Sequence, residues 1–457
     1  MFGTHGSEFT NGSASILWGA LEGSLGIFPT LSLGALLMIA SLWLTSFAVP
    51  IYAHTDFLIL YVSIPLTGLG SAACSPGILL GAVGKLFKDE SMRAKAMGYT
   101  FALSSAGGIA IPPLIAILIA ACAEYLPPPC FHHQGFWSES AGWGRWYTAW
   151  RILACIPVLM IPFALALRAQ QSLPTDTAPE PAATAPVLDG SEASLWQTVK
   201  AGWSSTSFVL LVLGFFACGF HVSFVGTHLP PWCTDQNLAP SVGGFVMSVI
   251  GIGNIAGNFS AGWLGGRFPH HKNLLLSLLY FLRAVLFLLF YFVPMSCSSK
   301  KYHPASGATC WSPDTITSIV LVWSTMMGIL WLSSVPLTMG LVSDLVGEKW
   351  ATTLFGFTFA SHQLGGFFGV RLATPCLRIC SFGRAASELK QCARQAWLGG
   401  YMFDHTGSYS TMFLLCAGLG VLSTALHLPI RPVRIRIPGA GEEGGGSGVR
   451  QQLLQAR

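Results

Sequence analysis

Eleven apolar runs constrain this chain more than any other feature, because each is long enough to cross the hydrocarbon core of a bilayer, which takes about 20 helical residues. They lie near 14–28, 30–51, 57–86, 96–123 and 147–168, then near 206–229, 241–265, 273–295, 315–343, 350–370 and 409–430. Hydrophobicity that is continuous rather than alternating predicts helices and disfavours a β-barrel. Only 9% of the 457 residues are charged and 52% are hydrophobic, against roughly 25% charged in soluble domains. The expected class is an all-α, multi-pass integral membrane protein. Its 51 glycines suit helices that approach backbone to backbone inside lipid.

Residues 169–200 are rich in Pro, Ala and Thr and read as a flexible linker. They divide a first bundle, 1–168, with five spans, from a second, 201–430, with six, followed by a tail, 431–457. Lys and Arg gather on alternate loops: Lys85, Lys88, Arg93 and Lys95; Arg168 and Lys200; Arg267 and Lys272; Lys349; then Arg431, Arg434 and Arg436. Basic loops resist translocation, so this pattern puts the C-terminus in the cytoplasm, with the plasma membrane the first expectation. Segment 371–396 breaks the pattern with Arg371, Arg378, Arg384, Lys390 and Arg394. It reads as an insertion, either an extracellular loop or translated intron. The net charge of +5 follows the loops and forms no nucleic-acid patch.

The text GYTFALSSAGG at 98–108 recurs as GFTFASHQLGG at 356–366, and GALEG at 19–23 resembles GWLGG at 262–266. Six spans separate Gly19 from Gly262, an even number, so both copies face the same way, as in transporters built from two parallel halves. The repeat also predicts a first helix in the first half that this sequence lacks, as a fragment or truncated gene product would.

On these residues the chain resembles the major facilitator superfamily. The turn AGWLGGRFPHHKNLL is similar to the superfamily's G-x-L-a-D-r-x-G-r-r motif, and GALEGSLGIFPTL is a weaker copy. Gly23 and Gly266 stand where the motif has Asp; only Arg267 and Lys272 remain of its basic residues in the second copy, which puts the family's charge-pair gating in doubt here. The stretches GFFACGFHVSFVGTHLPPW, SHQLGGFFGV and YMFDHTGSYS resemble the monocarboxylate and oxalate/formate carrier branch. The resemblance implies a fold of two six-helix bundles, here five plus six, that rock around a central cavity. Spans 57–86, 206–229 and 315–343 would line it.

Polar residues inside spans are costly and mark candidate sites. His221 and His228 lie seven apart on one helical face, and their imidazoles suit a proton and a carboxylate moving together; interhelical bonding is the alternative. His362 and Gln363 form the polar pair of the second repeat, with Ser104 and Ser105 at the same positions in the first. Trp331 and Ser334, with Pro336 loosening the backbone, form a candidate substrate wall, and Ser71 is a further hydroxyl. Arg283 either holds an anion or is structural, the second favoured because the third helix of each half is peripheral in the family. No nucleotide, zinc-protease or other enzyme motif appears, no cofactor is expected, and no Cys/His spacing suits a metal. Cys297 with Cys310, and Cys122 with Cys130, are candidate disulfides. The leading expectation is a secondary, H+-coupled carrier of a monocarboxylate or other organic anion. An exporter of a neutral or amphipathic solute, and a non-transporting receptor, scaffold or inactive fragment, stay open.

Overall fold

The computed structural model describes residues 2–47, 54–125, 146–172, 194–297, 299, 310–370 and 409–435. Segment 371–396, most of the linker and Cys130 lie outside them. The first half comprises α1 (Phe2–Leu25), α2 (Ile27–Thr45), α3 (His54–Ala73), α4 (Pro76–Gly84), α5 (Glu90–Tyr125), α6 (Trp146–Leu153) and α7 (Met160–Ser172). The second comprises α8 (Leu195–Ser204), α9 (Thr206–Asp235), α10 (Pro240–Arg267), α11 (Lys272–Tyr291), α12 (Pro313–Leu330), α13 (Ser334–Val346), α14 (Glu348–Val370) and α15 (Ser410–His427). A short parallel pairing of β1 (Met295–Ser296) with β2 (Cys310–Trp311) closes the loop between α11 and α12, where Cys297 and Cys310 form a disulfide.

Three apolar runs are each two helical pieces. Run 57–86 breaks after Ala73, and Pro76 starts α4, where its missing N–H costs nothing. Run 147–168 passes through a 3-10 turn at Ile156–Leu159. Run 315–343 breaks at Trp331–Ser333, five to three residues ahead of Pro336, which sits in the first turn of α13. Pro336 has no N–H to reach the Leu332 carbonyl four residues back and its ring crowds that carbonyl, so it disfavours a continuous helix through Trp331–Ser333, where the break lies. The linker is also shorter than expected at its C-terminal end, because Ser194 and Gln197 form a capping box that starts α8.

Eight helical stretches among the described residues meet the length and hydropathy of a membrane span. The expected spans at α1, α5 and α14 are helical but fall outside that set. Together with α10 they form the contact between the halves, α1 against α14 and α5 against α10. Small and polar residues serve such seams better than lipid-facing apolar ones, as the Gly, Ser and Thr of α1 and α14 illustrate.

The repeat maps onto the two seams. A Cβ added at Gly98 of α5 would stand 2.3 Å from the Gly262 Cα of α10, and one at Gly19 of α1 2.7 Å from the Thr353 Cα of α14. Gly356, the mate of Gly98, meets Ile16 of α1 in the same way, at 2.9 Å. The repeat glycines are thus where helices of opposite halves touch backbones. One pair differs. Gly365 packs on the Phe216 carbonyl of α9, whereas a Cβ at Gly107 meets nothing within 4 Å among the described residues, and neighbouring Leu103 is 71% exposed.

Candidate functional site at a broken helix and the seams beside it

A helix broken inside a membrane leaves amides and carbonyls with no water to bond, each costing several kcal/mol if unpaired. At the α12–α13 break those groups are taken from two sides. From α11, the Arg283 Nε donates to the Leu330 carbonyl at 2.8 Å, and Nη2 donates to the Leu330 and Trp331 carbonyls. Arg283 is 1% exposed, donates also to Cys218 Sγ at 3.4 Å and Ser334 Oγ at 3.3 Å, and lies over the Tyr280 ring. From α10, the Asn254 Oδ1 accepts from the Leu332 amide at 3.0 Å. The Asn254 Nδ2 donates to Ser105 Oγ of α5 at 3.0 Å, and Asn258 Nδ2 donates to the same oxygen at 3.2 Å. One small network therefore joins the break to the opposite half.

His362 and Gln363 sit on α14 and diverge. His362 packs between Phe359, stacked at 5.4 Å, and Phe215 of α9 at 5.2 Å, with the Cys218 thiol beside it. Its Nδ1 bonds the Gln363 Oε1 at 3.1 Å, and its buried Nε2 has no hydrogen-bond partner among the described residues. Gln363 leans on Gly12 of α1, where a Cβ would come within 2.8 Å of its own. His362 therefore lies one helix face away from the α1–α14 seam.

The other sequence candidates are dispersed. His221 Nε2 bonds the Cys416 carbonyl of α15 at 2.9 Å and packs on Phe287, and His228 packs between Phe224 and Tyr409. Every one of these partners belongs to the second half. Trp331 and Ser334 are at the break itself, Ser334 with its Oγ 3.3 Å from Cys218 Sγ. Ser71 of α3 accepts from Asn11 of α1 at 2.9 Å. Ser104 is exposed and turns its hydroxyl to the Phe101 carbonyl at 2.7 Å. Arg267 is exposed beside Phe268.

The end carrying the basic loops is closed by charge pairs between halves. Lys272, whose side chain is 2% exposed, donates across the seam to Glu90 of α5 and within its own half to Asp344 of α13, both at 2.7 Å. Arg93 of α5 reaches Glu348 at 3.0 Å and Asp344 at 3.7 Å. Burial pushes the Glu90 carboxyl up, but the hydrogen bond and charge of Lys272, with His270 and Arg93 behind it, outweigh this and hold it below the usual range. A cleft of about 420 Å³ opens over these residues and is bordered by Arg434. The turn that lost its motif Asp at Gly266 thus keeps a charge clamp, because Lys272 finds acids from α5 and α13 instead. Inside the first half, Lys85 pairs with Glu22 at 2.6 Å.

Asn254, Asn258, Cys218, Glu90 and Asp344 were not singled out from sequence. Two amides one turn apart inside an apolar run were a readable signal; the acids near helix ends were not.

The sequence profile of the Major Facilitator Superfamily matches residues 6–370. Among curated relatives, "Monocarboxylate transporter 12" of Xenopus laevis is 24% identical over 420 residues, covering 89% of this chain and 74% of that one. "Monocarboxylate transporter 13" of Bos taurus is 24% identical over 247 residues, covering 53% of this chain and 46% of that one, so the match spans less than half of that relative. Among solved structures, the E. coli fucose:proton symporter superposes with a TM-score of 0.58 at 15% identity, covering 92% and 88% of the two chains. The proton:xylose symporter XylE gives 0.57 at 10%, covering 94% and 86%. These likenesses carry the fold. With the family profile over most of the chain, two bundles in contact along pseudo-symmetric seams and relatives that are transporters rather than enzymes, this chain belongs to the Major Facilitator Superfamily.

Proposed function

We propose that the protein carries a small organic anion, a monocarboxylate first among them, together with a proton by alternating access, with its basic end toward the cytoplasm of the plasma membrane. The observation that carries this reading is the His362 imidazole: its Nδ1 is fixed by Gln363 while its buried Nε2 is unpartnered among the described residues. The Cys218 thiol beside the ring is 3.4 Å from the Arg283 guanidinium, so an entering carboxylate would meet both an imidazole and a nearby cation. Proton and anion then bind with mutual assistance, which is the linkage that symport requires. The names of the two monocarboxylate relatives and the two proton symporters agree with this reading. In it His221 and His228 hold α9 to α15, and Trp331 and Ser334 border the path.

A second reading, carriage of a neutral or amphipathic solute, is favoured by one observation: the Arg283 guanidinium is engaged by backbone carbonyls, and the network beside it is built of neutral amides. Uptake of labelled lactate, pyruvate, formate and oxalate into proteoliposomes at about pH 6 and about pH 8 separates the two. The first reading expects faster uptake at the lower pH and loss of that dependence in His362→Gln. Uptake of none of the four anions, or uptake indifferent to pH, overturns it.

A further inference from the structure

The hydrogen-bond directions around Asn254 are fully determined. The Leu332 N–H is a donor only, so the amide oxygen of Asn254 must face it and the amide nitrogen must face Ser105. The Ser105 hydroxyl gives its own proton to the Phe101 carbonyl at 3.0 Å, and so its oxygen accepts from Asn254 and Asn258. Asn258 Nδ2 also lies 3.2 Å from Asn254 Oδ1. Asn254 is 4% exposed and Asn258 0%, so neither has water as an alternative partner. A flip of the Asn254 amide would lose the Leu332 bond, turn its own nitrogen away from Ser105 and remove the oxygen that faces Asn258 Nδ2.

The backbone around this amide is tight. A Cβ on Gly257 of α10 would stand 1.9 Å from the Ile329 carbonyl and 2.6 Å from Ser333 Oγ, so α10 lies directly against the break. On its other face, Gly251 of α10 meets Ile109 of α5 at 2.7 Å. Helix α10 is therefore held to the break on one side and to the opposite half on the other, and Asn254 is the residue bonded to both.

We propose that Asn254 is the positioning residue that couples the α12–α13 break to the first half, so that a change in angle at the break and the rocking of α5 occur together. This rests on the reading of the protein as an alternating-access carrier. Arg283 holds the carbonyls of the break within the second half alone and transmits nothing across the seam. Asn254 and Asn258 make the seam directional: the break cannot re-register without breaking the Leu332 bond or dragging Ser105.

Hydrogen exchange of the full chain in nanodiscs, read by mass spectrometry with no substrate added, tests the coupling independently of whether any anion is carried. Asn254→Leu keeps the branching of the side chain and removes its bonds to Leu332 and Ser105; it is expected to raise exchange about tenfold in residues 328–336 and also in residues 98–107 of α5. Ser105→Ala removes only the cross-half acceptor, and is expected to deprotect 98–107 while leaving 328–336 as in the parent. If Asn254→Leu fails to fold, Ser105→Ala carries the test, with Asn258→Ala, which leaves both bonds of Asn254 in place, expected to keep 328–336 as in the parent. Deprotection of only one of the two segments by Asn254→Leu, or loss of protection at 328–336 in Ser105→Ala or Asn258→Ala, overturns the proposal.

Discussion

Arg93→Gln should open the basic end of the protein. The Arg93 side chain is 14% exposed and ties α5 to two carboxylates of the opposite half, Glu348 at 3.0 Å with 30% exposure and Asp344 at 3.7 Å with 10%. A fully exposed pair contributes about 0–1 kcal/mol, and breaking a buried one costs about 3–5 kcal/mol. Two partly buried bonds place the loss near 2 kcal/mol between these limits. Because the bonds span the halves, the loss falls on the closed arrangement alone and shifts its balance about 30-fold toward separation of this end. The reporter is Ser343→Cys, a buried position at 3% exposure that borders the cleft, in a background where exposed Cys155 is replaced by Ser. Labelling by a membrane-impermeant maleimide should then quicken by roughly that 30-fold factor in Arg93→Gln, provided the reagent samples the rare open state. A rate within about twofold of the parent would refute the idea that these pairs hold the end shut.

Other expectations follow from the same geometry. Arg283→Met leaves the Leu330 and Trp331 carbonyls without their donors in a water-free setting, and should lower stability by about 3 kcal/mol or more in a thermal melt of the detergent-solubilised protein; an unchanged melt would mean the break finds other donors. Gly98→Leu drives a side chain into Gly262 at the α5–α10 seam and should cost about 1–3 kcal/mol by overpacking, with Leu103→Ala, exposed on the same helix, as a control near zero. The Glu90 carboxyl is held below its ordinary value, so its bridge to Lys272 contributes above that value and is lost as pH falls through the lowered one. The Ser343→Cys reporter should therefore show a step in accessibility below the ordinary glutamate value of about 4.3 that is absent in Glu90→Gln; the same step persisting in Glu90→Gln would contradict the assignment.

The seams were legible in the sequence because they are written twice. Gly98 and Gly356 repeat, as do Gly19 and Gly262, and each marks a crossing of helices from opposite halves. The broken helices were not legible, since hydropathy is continuous across Trp331–Ser333 and says nothing of backbone direction. Pro336 pointed to a weak point there, since a proline disturbs the turn before it, but not to the partners that take up the freed backbone groups. Partners distant in sequence were invisible for a related reason: Arg283 bonds backbone carbonyls 47 and 48 residues away, which no side-chain pattern announces. The polar pair at 362 and 363 was found by its departure from Ser104 and Ser105, and the structure divides both pairs. His362 turns to α9 and Gln363 to α1, while Ser105 meets Asn254 and Ser104 is exposed.

The central claim is that one imidazole binds the proton and the carboxylate together. Recording the internal pH of proteoliposomes with a trapped dye while an inward lactate gradient is imposed tests it most directly, with no proton gradient present at the start. The account predicts that lactate entry acidifies the lumen in the parent protein and that His362→Gln abolishes this acidification. Lactate entry without acidification in the parent, or equal acidification in His362→Gln, would contradict it.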